Sequence, residues 1–200
     1  YGLGDMELII MDDGNIEILK DIPVSSNIFY YKTRPISLGE KRNRLMRYAK
    51  GEILIFFDDD DYYPKDKVSE CVKVLENNKE YLITGSSLMY VYFPKYDDIL
   101  KYGPSWHSNH ATCATLAFKK EYCKNNKFPH IKRAEEKGFL NNYKNSLYQM
   151  NSLKAILVIG HDSNTVDKYN YRSKGEKTNM TLEDFGMSDE DKLFYRNLIV

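Results

Sequence analysis

Apolar residues recur with two different periods along the first half of the chain, and their order predicts an α/β fold. Short apolar runs at 6–11 and 27–32 are typical of β-strands. After Ser37, apolar residues follow at helical spacing, and the serine has a glutamate three positions later, which is the spacing of a capping box. Gly51 stands where the C-cap of this predicted helix is expected.

Five consecutive apolar residues follow Glu52, and they predict a strand that is covered on both faces, as in a parallel sheet. A second amphipathic helix is predicted after Pro64 from apolar residues at helical spacing: Val68, Cys71, Val72 and Leu75. The order strand, helix, strand, helix is typical of an α/β sheet with right-handed crossovers.

The second half of the chain is less regular. Its pattern predicts strands at 81–84, 88–93, 111–118 and 155–159, and helices at 119–125 and 133–143. The polar segment 169–179 lacks periodicity, and we expect a mobile loop there. Residues 181–200 are predicted to end in a helix that is capped near Ser188.

Composition narrows the class of protein. With 200 residues and 42% hydrophobic content, the chain is long enough for one sizeable core. The 29 Lys and Arg balance the 29 Asp and Glu, so no global field favours nucleic acid or an anionic membrane. Three cysteines without a CxxC pair argue against a disulfide framework or a zinc site and favour a reducing compartment, so we expect a cytoplasmic protein.

The chain contains no apolar run of the roughly 18 to 20 residues that a membrane-spanning helix needs. It begins at Tyr1 rather than Met, and we expect it to be a fragment of a longer protein.

Two of the predicted strands end in acidic residues, Asp12-Asp13 and the quartet 58–61. Because ligands bind outside the carboxyl ends of strands in open α/β sheets, we expect both clusters to face one crevice. Asp-Gly after a strand is also an ordinary turn signal. Four neighbouring carboxylates repel one another by about 1 to 4 kcal/mol per pair, so a divalent cation such as Mg²⁺, Mn²⁺ or Ca²⁺ is favoured over a solvated loop.

Three segments carry a resemblance to a known family: ELIIMDDGN, SLGEKRNRLMRYAKGEILIFFDDDDYYP and AEEKGFL. Over about residues 6–161 they resemble the motif series of family 2 glycosyltransferases with the GT-A fold, and similar blocks occur in glycosyltransferases of large DNA viruses. The resemblance implies an α/β, Rossmann-like fold for nucleotide-diphospho-sugar transfer, with a mostly parallel central sheet flanked by helices. Family members have a further strand and helix before ELIIMDDG, so we expect that first strand to be missing here.

The same resemblance implies one domain over 1–200, with a nucleotide-binding half at about 1–95, an acceptor and catalytic half at about 96–168, and a tail with a helix at about 169–200. It implies an inverting transferase that moves a sugar from a nucleotide-diphosphate donor, with a UDP-sugar expected, to a hydroxyl of a carbohydrate acceptor. Mn²⁺ or Mg²⁺ is the implied cofactor. In a viral source the compartment would be the host cytoplasm.

The resemblance also implies roles for individual residues on the donor side. Asp13, or Asp12 beside it, would contact the nucleobase, and Arg42, assisted by Lys41, would hold the nucleotide. For Arg42 the alternative is a surface charge on a helix. Within the aspartate quartet the family's Asp-x-Asp pattern fits best when Asp58 lies near the ribose and Asp60 binds the metal, while a shift of one residue leaves two more candidates: Asp59 for the nucleotide and Asp61 for the metal.

Glu136 is the implied general base, with Glu135 as the next candidate. It would take the proton of the acceptor hydroxyl as that oxygen attacks the anomeric carbon, while the metal neutralises charge on the departing diphosphate. The alternative is two solvent-facing acids that begin a helix. His161 follows an apolar strand and could ligate the metal or touch the diphosphate, or it is an ordinary surface or core histidine.

A segment bounded by Gly and Pro contains Trp106, His107 and His110. Since aromatic faces stack on sugar rings, these residues are candidates for the acceptor or donor-sugar pocket, with an ordinary buried tryptophan as the alternative.

Two other functions compete with glycosyl transfer. A sugar nucleotidyltransferase normally needs a Gly-rich basic phosphate loop, which this sequence does not show. The other alternative is a non-catalytic carbohydrate-binding or interaction module that keeps the acidic loop to bind calcium.

Overall fold

The structure is a computed structural model that describes residues 6–16, 18–162, 164 and 167–198. Within it the chain divides into two compact units. The first consists of residues 1–54 with 118–145, and the second of residues 55–117 with 146–200. No helix in the described ranges has both the length and the apolar character that crossing a bilayer requires.

Strands and α-helices alternate between residues 28 and 85, which confirms the α/β class. The strands are β1 Leu8–Asp12, β2 Ile28–Lys32, β3 Ile53–Ile55, β4 Ile83–Gly85, β5 Met89–Phe93, β6 Asp98–Tyr102, β7 Ala117–Lys119, β8 Tyr148–Gln149, β9 Val158–Ile159 and β10 Glu176–Lys177. The α-helices are α1 Leu38–Tyr48, α2 Lys67–Asn77, α3 Glu136–Phe139, α4 Lys168–Tyr171 and α5 Asp189–Arg196. Short 3₁₀ turns lie at Leu19–Asp21, Pro94–Tyr96, Cys113–Thr115, Lys120–Lys124, Ser152–Lys154, Arg172–Lys174 and Leu182–Phe185.

The strands form three small sheets. β1 and β2 pair in parallel, with Leu8 opposite Ile28. A second sheet has the order β10-β6-β5-β9, in which β5 pairs antiparallel with β6 and parallel with β9. The third has the order β3-β7-β4-β8, and its β4–β8 pair is parallel. Parallel pairs join strands that are distant in sequence, which is typical of an α/β protein.

In the first unit, α1 begins as the sequence predicts, because the Ser37 hydroxyl accepts a hydrogen bond of 3.3 Å from the Glu40 backbone N–H. The helix ends at Tyr48, since Ala49 is already extended (φ −61°, ψ 132°). The prediction that Gly51 is its C-cap is therefore wrong. Aromatic rings fill the core of this unit, where Phe128 and Phe139 stack with their centroids 4.0 Å apart.

In the second unit, α2 buries Cys71 and Leu75 completely. A second cluster joins β5, β6 and β9 to the C-terminal segment, and its buried members are Tyr62, Tyr92, Ile99, Leu157, Ile159, Leu182, Phe185 and Met187. The predicted C-terminal helix is confirmed as α5, because Ser188 and Asp191 form a reciprocal capping box. Residues 199–200 of that prediction lie outside the described residues, as do the first five residues of the chain.

Several sequence predictions of secondary structure are wrong because contacts distant in sequence override the local pattern. Of the predicted strand at 111–118, only 117 and 118 belong to a strand, since the Thr115 hydroxyl accepts a 2.9 Å hydrogen bond from the Ser86 backbone N–H and residues 113–115 form a 3₁₀ turn. The strand at 155–159 shrinks to β9. The run after Glu52 is not covered on both faces, because Phe57 is 44% exposed.

The segment 169–179 is also more ordered than the predicted loop. It contains part of α4, a 3₁₀ turn and β10, which pairs with β6, a strand that the sequence pattern did not indicate. The Thr178 hydroxyl donates a 2.6 Å hydrogen bond to the Ile99 carbonyl, and Glu176 pairs with Lys101 at 2.9 Å. Both strands contain polar side chains, so their hydropathy pattern does not predict this pairing.

Candidate active site

Asp12, the last residue of β1, is fully engaged in holding the turn that follows. Its Oδ1 accepts a 2.7 Å hydrogen bond from the Gly14 backbone N–H, and its Oδ2 accepts from the Tyr30 hydroxyl at 2.6 Å and the Lys32 ammonium at 2.8 Å. The Lys32 ammonium, followed by the Tyr30 hydroxyl, lowers the pKa of Asp12 to about 2. The alternative that the acidic residues after this strand form an ordinary turn is therefore correct for Asp12.

Asp13 points its carboxylate toward α1 instead. One oxygen forms an ion pair with the Lys41 ammonium, and the other accepts a 3.4 Å hydrogen bond from the Ile36 backbone N–H. Burial raises the pKa of Asp13, but the Lys41 ammonium more than offsets this, so the net pKa lies below its ordinary value. Both side chains remain nearly a quarter exposed, which leaves them accessible to a ligand.

Arg42 and Glu135 form a buried ion pair within the first unit. The Arg42 Nε donates to Glu135 Oε1 at 3.0 Å, and the side chains are only 5% and 4% exposed. Two alternatives from the sequence are therefore wrong, because Arg42 is not a surface helix charge and Glu135 does not face solvent. The structure brings together residues that lie 93 positions apart in the chain.

Glu136 is the first residue of α3 and is half-buried. Burial raises the pKa of its carboxyl, and the neighbouring Glu135 carboxylate raises it further. The helix is much shorter than the predicted 133–143, because residues on both sides adopt left-handed backbone angles: Ala134, Asn141, Asn142 and Tyr143. Such angles are uncommon for residues other than glycine and frequently occur at functional sites.

The acidic loop, residues 58–61, lies in the second unit. The Asp58 backbone N–H donates a 2.7 Å hydrogen bond to the Tyr63 hydroxyl, and Asp59 is exposed. Asp61 is partly buried, and its Oδ1 accepts a 3.0 Å hydrogen bond from the Ile159 backbone N–H. Burial raises the pKa of Asp61 to about 7, with Asp60 as the next cause.

Asp60 and His161 approach each other, and Asn164 links them. The Asp60 Oδ2 lies 3.3 Å from His161 Nε2, and it accepts a 3.2 Å hydrogen bond from the Asn164 amide. The Asn164 side chain also lies 2.7 Å from His161 Nε2, and its carbonyl accepts from the His161 backbone N–H at 2.9 Å. Sequence reasoning did not assign Asn164 a role, and its only signal was a polar side chain three positions after His161.

We tested whether these residues fit a divalent cation. In the parts of the chain that the structure describes, no group of three or more His, Cys, Asp or Glu side chains could hold a metal ion. Asp60 and His161 nevertheless offer an oxygen and a nitrogen ligand 3.3 Å apart. Magnesium is usually held by one or two protein carboxylates together with substrate phosphates. A cation held by this pair would need its remaining ligands from elsewhere, such as the phosphate oxygens of a bound substrate.

Trp106 is completely exposed, so the alternative of an ordinary buried tryptophan is wrong. His107 is exposed, and burial lowers the pKa of the half-buried His110. Gln149 anchors the segment that carries Trp106. Sequence reasoning missed this residue because it belongs to no recognisable motif. Its amide donates to the carbonyls of Ser108 and His110, both at 2.7 Å.

Asp13, Lys41, Arg42, Glu135 and Glu136 belong to the first unit, whereas residues 58–61, Trp106, His107, His110 and His161 belong to the second. Each unit thus brings some of the predicted residues together. The single crevice that both acidic clusters were expected to share stays a prediction.

Comparison with known proteins gives matches of three kinds: a family, a curated relative and several solved structures. Residues 2–157 match the family described as Glycosyl transferase family 2. YfnE of Bacillus subtilis (strain 168), an uncharacterized glycosyltransferase, is 31% identical over 88 residues, which cover 40% of this chain and 22% of that protein. The crystal structure of residues 1–349 of S. aureus TarS resembles this chain with a TM-score of 0.57 at 16% identity, covering 80% of this chain and 53% of that one.

The structure of the same TarS fragment in complex with UDP-GlcNAc has a TM-score of 0.56 at 14% identity, covering 82% of this chain and 52% of that one. A mycobacterial protein has a TM-score of 0.52 at 16% identity, covering 90% and 59%. The chain thus spans about a fifth of the curated relative and little more than half of these solved chains. At such identities the structural likeness concerns the fold.

Proposed function

This chain belongs to glycosyl transferase family 2 and has the GT-A fold, and from that premise we propose that it binds a UDP-sugar and transfers the sugar, with inversion, to a hydroxyl of a carbohydrate. TarS, which shares the fold, has been solved with UDP-GlcNAc and with UDP, and these complexes support a uridine donor. The observation that carries the proposal is the Asp60–His161 pair at the end of the acidic loop.

On the nucleotide side, we assign the nucleobase contact to Asp13 rather than Asp12. The Asp12 carboxylate already accepts three hydrogen bonds, whereas Asp13 is partly exposed and backed by the Lys41 ammonium. Its carboxylate can accept the N–H of a uracil ring. Arg42 is buried against Glu135, so it acts on the nucleotide through the position of α1, which also carries Lys41.

On the diphosphate side, we assign the cation, Mn²⁺ or Mg²⁺, to Asp60 and His161, with Asp58 beside the ribose. The Asn164 amide nitrogen contacts Asp60 Oδ2 and His161 Nε2, the same two atoms that would ligate the cation, so this amide has to move aside when the cation binds. Asp61 anchors the loop to β9 through the Ile159 backbone. A bound cation would offset the negative charge that develops on the departing diphosphate.

The catalytic base in this proposal is Glu136. Because Glu135 is committed to Arg42, Glu136 is the carboxylate of the pair that is available to an acceptor. Burial raises its pKa, so it holds a proton more tightly than an exposed glutamate does. It takes the proton from the acceptor hydroxyl while that oxygen bonds to the anomeric carbon and the bond from that carbon to the diphosphate breaks. Attack from the side opposite the leaving group inverts the configuration.

The carbohydrate acceptor is assigned to the Trp106 segment. An exposed indole offers an apolar face to the C–H groups of a sugar ring. Gln149 holds this segment through two backbone carbonyls, so the indole is presented without the entropy cost of ordering a free loop. His107 lies beside it and can donate a hydrogen bond to a sugar hydroxyl.

The metal assignment is tested by calorimetry with UDP and Mn²⁺. We expect Asp60→Ala to abolish the metal-dependent part of UDP binding while the protein remains folded. A matched control is Asp189→Ala, because the Asp189 carboxylate is fully exposed and pairs only with Lys192, one turn later on the same face of α5, among the ion pairs of the described residues. Wild-type affinity in the Asp60 variant would show that another group holds the cation.

The base assignment is tested with Glu136→Gln. We expect donor affinity to stay near the wild-type value and sugar transfer to be lost. The same variant separates chemistry from folding: since burial disfavours the charged form of Glu136, the neutral glutamine should not lower the thermal stability. Turnover that survives the substitution would rule out Glu136 as the base.

A further inference from the structure

A lysine side chain is buried beneath the acidic loop, and nothing in the proposed mechanism uses it. Lys67, the first residue of α2, is only 1% exposed. Burial of an ammonium group is costly unless hydrogen bonds replace its water shell. Here Nζ donates to the backbone carbonyls of Phe56 and Ala114, both at 2.8 Å.

Two aromatic rings also lie against this ammonium. Lys67 Nζ lies 3.9 Å from the centroid of the Tyr63 ring and 4.2 Å from that of the Phe57 ring. Cation–π contacts of this kind are strongest where water is excluded. The two rings also contact each other, with centroids 4.6 Å apart.

These contacts fall at both ends of the acidic loop. Phe56 and Phe57 directly precede Asp58, and Tyr63 follows the loop on its other side. The Tyr63 hydroxyl accepts the Asp58 backbone N–H at 2.7 Å, so the ring over the ammonium is bonded to the loop itself. Lys67 therefore joins the two ends of the loop through one buried charge.

We propose that Lys67 is a positioning residue for donor binding, whose ammonium holds the acidic loop in the conformation that presents Asp58 and Asp60 to the metal and diphosphate. The inference rests on the proposed function of that loop. Groups that orient metal ligands from behind typically contribute 10- to 100-fold to metal affinity, so we expect a loss of about this size when the ammonium is removed.

The test is Lys67→Met, which keeps the length and apolar stem of the side chain but removes its charge and donors. We expect the dissociation constant for UDP with Mn²⁺ to rise about 10- to 100-fold. The KM for the donor should rise accordingly, with kcat at saturating donor within about threefold of wild type, because the loop is misplaced and the base is not. Lys73→Met, an exposed position on the same helix, is the matched control and should bind UDP as wild type does.

Wild-type UDP affinity in a folded Lys67→Met protein would overturn the inference, as would a change confined to kcat. If the variant does not fold, Tyr63→Phe replaces it, since it keeps the ring over the ammonium and removes the oxygen that accepts the Asp58 N–H. We then expect weaker UDP binding in a folded protein, and unchanged binding overturns the inference. Failure of the wild-type protein to bind UDP with Mn²⁺ refutes the proposed function instead.

Discussion

The buried ion pair between Arg42 and Glu135 makes a strong prediction about stability. The substitution Glu135→Gln keeps the size of the side chain and one hydrogen-bond acceptor, but it removes the negative charge that pairs with the Arg42 guanidinium in this buried site. Both side chains are at most 5% exposed, so water cannot replace the lost carboxylate. We therefore expect a large loss of stability from one polar substitution.

The magnitude follows from the geometry. Unit charges 3.0 Å apart attract by about 5 kcal/mol at an effective dielectric constant of about 20. Removing one partner of a buried pair costs about 3–5 kcal/mol in total, whereas an exposed pair contributes about 0.2–1 kcal/mol. For a chain of this length, each kcal/mol lowers the melting temperature by about 2–4 °C, so we expect a decrease of roughly 6–20 °C.

The assay is equilibrium unfolding in urea, supported by thermal melts. Glu176→Gln is the matched control, because Glu176 pairs with Lys101 at a similar 2.9 Å but its side chain is 67% exposed, and it should cost less than about 1 kcal/mol. The double variant Arg42→Met with Glu135→Gln also removes the buried Arg42 charge, and it should be more stable than Glu135→Gln alone. A Glu135→Gln protein within about 1 kcal/mol of wild type would refute the reasoning.

Two further predictions concern the proposed catalytic base, Glu136, and the first turn of α1. Burial raises the pKa of Glu136, and the base must be ionised to accept a proton. As the pH is lowered, kcat at saturating substrates should therefore begin to fall at a pH above 4.5, the ordinary pKa of glutamate. A fall in kcat that occurs only at or below pH 4.5 would contradict this. A Cβ added at Gly39 would overlap the Pro129 carbonyl, so Gly39→Ala should lower the unfolding free energy by about 1–3 kcal/mol or more in urea titrations. Gly51→Ala is its control, since the new Cβ meets Ile53 O at an ordinary 3.6 Å, and equal stability of the two variants would show that Gly39 has room for a side chain.

Local sequence signals predicted those features whose causes are also local. The Ser37 cap, the Ser188 capping box and the amphipathic face of α2 each depend on residues within a turn or two of one another. The acidic residues that follow β1 and β3 were likewise visible in the sequence, because strand ends and carboxylate runs are properties of neighbouring residues. The family followed from such blocks, since they combine residue type with fixed spacing.

Contacts between distant residues explain the errors. β10 consists of polar residues, and it forms a strand because it pairs with β6, 75 positions earlier in the chain, rather than through any periodicity of its own. The helix predicted at 133–143 is short because Ala134, Asn141, Asn142 and Tyr143 adopt left-handed angles, which are uncommon for Ala and Tyr. The surrounding structure imposes these conformations.

By itself, the sequence determined the α/β class, the family and the residue types available for chemistry, because each of these is encoded in short blocks with fixed spacing. Only the tertiary structure decided which partner each carboxylate has. It committed Glu135 to Arg42, bonded Asp61 to the backbone of β9, and set Asp60 against His161. The physical reason is that burial and partner charges define the role of a carboxylate, and both depend on segments about a hundred residues away along the chain.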